Sequence, residues 1–85
     1  METRQLKKNL VKANEWLELA KKRVKLPKNW LDVEYQNDAD LLYITVSEAE
    51  TTKTKSQIEK GVVYDYDKNG DLVGIEIWNL YGVFV

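Results

Sequence analysis

A chain of 85 residues, 44% hydrophobic and 32% charged, fits one globular domain near the lower limit for a self-sufficient core and excludes wholesale disorder. Cysteine and histidine are both absent, which removes disulfides, thiolate metal sites, the usual general base and the commonest metal ligand. The net charge of −1 conceals a division, because residues 1–30 carry +6 and residues 31–85 carry −7.

That division has a plain reading and two sharper ones. The two parts attract each other or are solvated separately, or the basic segment meets an anionic partner, or the acidic segment meets a basic one. No apolar run approaches the roughly 18 residues that span a bilayer. Residues 1–10 have no apolar stretch behind their basic side chains, so no secretory signal or membrane partner is expected, and a cytoplasmic location is.

Along the chain, Leu6, Leu10, Ala13, Leu17, Ala20 and Val24 recur at alternating steps of four and three, one stripe of an α-helix. Thr3 suits the N-cap, Glu18 and Lys22 form an i,i+4 pair, and Pro27 disfavours helix at Leu26, so a helix over residues 3–25 is predicted. The stripe is heptad-like, which permits a coiled-coil contact, but it suits packing on the chain's own sheet better. Val11 and Leu19 fall off it among charges, as exposed apolar residues or the edge of an interface.

From Trp30 the period changes to two. Leu31, Val33 and Tyr35 alternate with Asp32 and Glu34, and Gln36-Asn37-Asp38-Ala39-Asp40 is turn chemistry. Leu41 to Val46 reads as a central strand covered on both faces, and Thr51 to Ile58, polar with Lys53 and Lys55, as an exposed edge strand. Gly61 to Tyr66 and Leu72 to Trp78 flank Asn69-Gly70, the strongest short hairpin signal. Leu80 to Val85 is a last strand or a tail. One helix over residues 3–25 and an antiparallel sheet of four or five strands over residues 30–85 make a single α+β domain.

Asp65 to Glu76 satisfies the calcium-loop expression in full, with ligand types at positions one, three and five, glycine at six and glutamate at twelve. That loop must sit between helices, and here both flanks are strand sequence. A two-residue hairpin with Asn69-Gly70 at its tip accounts for the residues better. It sets Asp67 opposite Leu72, Tyr66 opposite Val73 and Tyr64 opposite Ile75. Val62, Tyr64, Tyr66, Val73, Ile75 and Ile77 then share one face, and Asp65, Asp67 and Glu76 the other. Those three carboxylates are the weak candidates for a divalent cation; no metal and no cofactor is expected.

No enzymatic constellation emerges. Ser47 and Ser56 lack a nucleophile context, and the paired aspartates belong to turns and a polar strand face in a domain too small to cleft around a sugar. Nucleic acid is the alternative partner, through the basic helix with Lys7, Lys8, Lys12, Lys22 and Arg23 as candidate contacts. Those charges spread around most of the polar arc, and a pI near 5.4 disfavours phosphate.

Asn37-Asp38-Ala39-Asp40-Leu41-Leu42-Tyr43-Ile44 is similar to the acidic-Ala-Asp-x-Leu-Tyr-Ile opening of the family known as domain of unknown function 2283. Gly61-Val62-Val63-Tyr64-Asp65-Tyr66-Asp67-Lys68-Asn69-Gly70-Asp71-Leu72-Val73-Gly74-Ile75-Glu76-Ile77 resembles its second hallmark. The match runs over about residues 33–79. The resemblance implies a small, mostly prokaryotic protein with a β-meander. It carries no established activity and no catalytic residues, and members' frequent position beside genes for toxin-like proteins implies an antitoxin or similar partner role. This chain departs from the pattern in its preceding helix and in the apolar stretch after Ile77. Trp78, Leu80, Tyr81, Phe84 and Val85, with Val11 and Leu19, are the candidate contact set for a protein partner or a second copy, forming a homodimer; the alternative is that Trp78 to Val85 are core. A non-enzymatic interaction module is the expected function.

Overall fold

The computed structural model describes residues 12–82. Residues 12–20 form a helix, α1, followed by five strands: β1 (Asp32–Gln36), β2 (Leu41–Thr45), β3 (Lys53–Gln57), β4 (Val62–Tyr66) and β5 (Leu72–Trp78). One 3-10 turn, Ile58–Lys60, links β3 to β4 and ends at Gly61 in the left-handed region. The sheet order is β1-β2-β5-β4-β3, and every neighbouring pair is antiparallel. β3, β4 and β5 follow as a meander, and the β1–β2 hairpin joins its far edge through β2 and β5. The α+β class, with a helix on one face of a five-stranded sheet, is as the periodicities predict.

Register decides what each face carries. Val33, Ile44, Ile75 and Tyr64 align in one row across β1-β2-β5-β4, and Tyr35, Leu42, Ile77 and Val62 in the next. Leu42, Ile44, Ile75, Ile77 and Val62 from these rows are fully buried, and Ala20, Val24 and Leu80 close the core over them. Each such aliphatic side chain contributes about 1.5–3 kcal/mol on burial. β5 is longest and sits in the middle, and β3, exposed throughout, is an edge as its lysines foretell. β2 has a neighbour on each side but is fully covered on one face only: Leu42 and Ile44 are buried, whereas Leu41, Tyr43 and Thr45 are half-buried.

Three expectations shift. The helix stops at residue 20 rather than 25, because the backbone of Lys22 and Arg23 bonds back to Leu19 and Ala20 in a tight last turn that turns Val24 into the core. Glu18 pairs with Lys21 at 3.1 Å rather than with Lys22. The β4–β5 loop has three residues, not two: Asp67 N–H donates to Asp71 O, Gly70 N–H donates to Asp67 O, and Gly70 takes φ 86°. Tyr66 therefore faces Leu72, and Val73 becomes an extra residue in a bulge. That bulge restores the predicted pairing of Tyr64 with Ile75. Residues 79–82 are not strand. The start of the predicted helix, with Thr3, Leu6 and Leu10, lies outside the described residues.

Candidate functional site

The sheet face away from α1 is built by the alternate residues of the same strands. Its rows are Asp32, Thr45, Gly74, Asp65 and Thr54; then Glu34, Tyr43, Glu76, Val63 and Ser56; then Gln36, Leu41 and Trp78. The core cluster, with Ala20 of α1 and Val24, lies on the opposite face. It holds four carboxylates and no basic strand residue.

Its centre is a fixed polar cluster. Tyr43 stands opposite Glu76 and leans diagonally across Gly74, where an added Cβ would lie 2.7 Å from Tyr43 Cζ and 3.2 Å from the Ile44 carbonyl oxygen. A bare glycine is thus required for the phenol to cross. Beyond it, the Tyr43 hydroxyl donates to Asp65 Oδ2 and the Thr54 hydroxyl to Asp65 Oδ1, each at 3.1 Å, so a carboxylate only 8% exposed is satisfied at both oxygens. Burial first, and then the hydrogen bond to Asp65, hold the Tyr43 phenol above its ordinary range. Burial and the neighbouring charge of Asp65 raise the Glu76 carboxyl against a smaller, lowering hydrogen bond from Trp78. Glu76 therefore sits beside a like charge with part of its hydration removed, which is the electrostatic position a bound cation would relieve.

The two segments that carry the family resemblance meet in this cluster. Tyr43 comes from the first, and Asp65, Gly74 and Glu76 from the second. Residues 32–80, more than half of the chain, match the family described as protein of unknown function (DUF2283). The chain belongs to the DUF2283 family. No curated protein and no solved structure matches it.

In this DUF2283 chain the three weak cation candidates do not act together. Asp65 is engaged by Tyr43 and Thr54. Asp67 holds the hairpin loop, accepting from the backbone of Asn69 and Asp71 at 2.9 Å each. Among the described residues, no group of three or more acidic side chains is placed to hold a metal ion. Nor, among them, is any helix long and apolar enough to cross a membrane.

The contact set divides. Trp78 and Tyr81 are 42% and 38% exposed, but Leu80, at 4%, is core, and Leu19 is half-buried with part of its side chain against that core. Leu80 goes inward because its N–H is held by the Asp40 carbonyl at 3.0 Å, which turns the chain back over the sheet. Val11, Phe84 and Val85 lie outside the described residues.

The basic set divides too. Arg23, read as a phosphate contact, instead donates to backbone carbonyls: Nη1 to Trp78 and Lys60, Nη2 to Asn79 and Leu80. A planar fork suits such a cluster of converging oxygens, and it leaves little of the guanidinium for an outside anion. Lys12 and Lys22 are exposed on the α1 side; Lys7 and Lys8 lie outside the described residues.

Sequence reasoning missed Tyr43, Gly74 and Thr54 as partners of Asp65, although pairing Leu41–Thr45 with Leu72–Trp78 would have set Tyr43 opposite Glu76. It also missed Asp40. This residue adopts φ 51°, accepts from the Tyr35 hydroxyl at 2.5 Å and from the Tyr81 N–H at 3.2 Å, and so ties the β1–β2 turn to the segment after β5. Burial, then that hydrogen bond and the Asp40 charge, push the Tyr35 phenol up to about 12.

Proposed function

We propose that this chain is a non-enzymatic protein-interaction module that docks a basic partner protein on the sheet face opposite α1. The observation that carries the proposal is the sign of that face: Asp32, Glu34, Asp65 and Glu76 share it, with no lysine or arginine at any of its strand positions. Tyr43, Leu41 and Val63 are half-buried there, and Trp78 is exposed at its rim, which supplies apolar contact area around the charges. A partner cation near Glu76 gains twice, from attraction and from relief of the repulsion by Asp65. An antitoxin-like role, which the family resemblance implies, would be one form of such docking.

The test is recovery of partners from native extract after nuclease, comparing the wild-type chain with Asp32→Lys/Glu34→Lys. Both substituted residues are exposed on the edge strand β1, so the fold should tolerate the change. A basic protein retained by the wild type and lost by the variant is the expected result. Recovery that disappears with nuclease, or a partner indifferent to the charge reversal, overturns the proposal.

Self-association is the second reading, favoured by the opposite charges of residues 1–30 and 31–85 within one chain. Sedimentation at low and high salt tests it, since a charge-driven dimer must dissociate as salt rises.

A further inference from the structure

Trp16, Tyr35 and Tyr81 come from α1, β1 and the segment after β5, and they meet on the helix side of the sheet, away from the acidic face. Trp16 and Tyr35 stack with centroids 5.3 Å apart, and Tyr81 meets Tyr35 edge-on at 5.5 Å. The three rings line a groove of about 750 Å³ together with Glu15, Asp40, Asn37 and Lys12. That volume falls within the range of small-ligand sites, roughly 300–1,000 Å³.

The hydrogen bonds fix the groove's polarity. The Tyr35 hydroxyl donates to Asp40 and the Tyr81 hydroxyl to Glu15, at 2.5 and 2.7 Å, so both carboxylates are held in place as acceptors. Aromatic faces are negative, and among the described residues two carboxylates stand with them against one ammonium, that of Lys12. An anion would be repelled by this lining. A neutral apolar ligand would strip water from the carboxylates with nothing to replace it. A bare metal ion would gain nothing from the rings, and the described residues provide no cluster of three acids for it. A positive charge with an apolar skin satisfies both parts of the lining, as in the aromatic recognition of quaternary ammonium groups.

We infer that this groove is a binding site for an organic ammonium ion, held by the Trp16, Tyr35 and Tyr81 rings and by the charges of Asp40 and Glu15. The site is independent of the acidic sheet face. Lys12 stands four residues before Trp16 on α1 and lines the same groove, so it competes with the ligand.

The experiment titrates the full chain with choline and, separately, with 3,3-dimethylbutan-1-ol, its neutral carbon counterpart, following the indole N–H of Trp16 by two-dimensional NMR. A saturable shift at millimolar choline, absent with the alcohol, is the expected result. Lys12→Ala should tighten binding about two- to threefold by removing the competing charge. Asp40→Asn should weaken it roughly fivefold while keeping the turn, since asparagine tolerates positive φ and still accepts from Tyr35. Glu15→Gln, on the exposed side of α1, gives a second variant that leaves the core untouched. A trimethyllysine peptide binding at least tenfold tighter than choline assigns the ammonium to a protein chain; equal affinity assigns it to a small molecule. No saturable shift at Trp16, equal response to the neutral alcohol, or tighter binding by Asp40→Asn overturns the inference.

Discussion

Replacing Arg23 by alanine removes a side chain that ties the turn after α1 to the end of β5. Its guanidinium faces four carbonyls, but the contacts are unequal: those to Leu80 and Lys60 are 3.3 and 3.4 Å, so the bonds to Trp78 and Asn79 dominate. A hydrogen bond from a charged donor contributes about 1.5–3 kcal/mol net. Arg23 is half-buried and water can reach its freed partners, so the two close bonds together should be discounted to about 2–3 kcal/mol. A domain of 85 residues has a stability of roughly 4–13 kcal/mol, so the variant should fold but melt early. With an m-value near 1 kcal/mol/M, the urea midpoint followed by circular dichroism should fall by about 2–3 M. Arg23→Lys should recover less than half, because a point charge cannot span carbonyls from three consecutive residues. A midpoint for Arg23→Ala within about 0.5 M of wild type would refute the clamp and return Arg23 to the pool of free surface cations.

Leu80→Ala should cost about 2–4 kcal/mol in the same melt, because the side chain is 4% exposed within the main core. Truncation before residue 80 should accordingly lower the stability of the fold by at least as much, instead of merely weakening an association. Gly74→Ala should displace Tyr43, whose Cζ lies 2.7 Å from the new Cβ, and cost about 1–3 kcal/mol; in a Tyr43→Phe background the added cost should shrink, as a double-mutant cycle would show. Glu76→Gln reports on the like-charge contact. A carboxyl raised in the folded state binds its proton more readily there than when unfolded, so the Glu76 contribution favours folding at low pH. It is lost as pH rises from the ordinary 4.5 through the raised value. The variant should therefore melt slightly higher at pH 7, by an amount that solvent screening keeps small, and show a flatter rise in stability on acidification over that window. A lower melting temperature at pH 7 would mean that Glu76 is stabilised by its neighbours.

What could be read from the sequence is what neighbouring residues dictate. Alternation in Leu31 to Tyr35 and the Asn69-Gly70 turn locate strands and hairpin because side-chain direction and turn geometry are local properties. Loop length was less legible, since Asp67 extends the β4–β5 turn by capping it with its own carboxylate, and a bulge at Val73 then conceals the change from the rest of the strand. Sheet order is not local at all. β2 and β5 are nearly thirty residues apart in the chain, so the meeting of Tyr43, Gly74 and Asp65 waited on a pairing that no short pattern states.

Charge was legible in amount but not in placement, and placement is what the proposed docking rests on. In the plain reading, the basic first third attracts the acidic remainder or the two are solvated separately, and the described residues bear on the first of these. The fold sets them apart, because α1 must lie on the apolar face, while register sends Asp32, Glu34, Asp65 and Glu76 to the other. Packed layers stand about 10 Å apart, and the Debye length at physiological salt is about 8 Å, so lysines on the outer side of α1 are screened from those carboxylates. Arg23, the cation best placed to cross between elements, is bound to backbone carbonyls instead of an acid. The acidic face therefore keeps its charge within the described part of the chain. That is the physical reason to look for its counter-charge on another molecule.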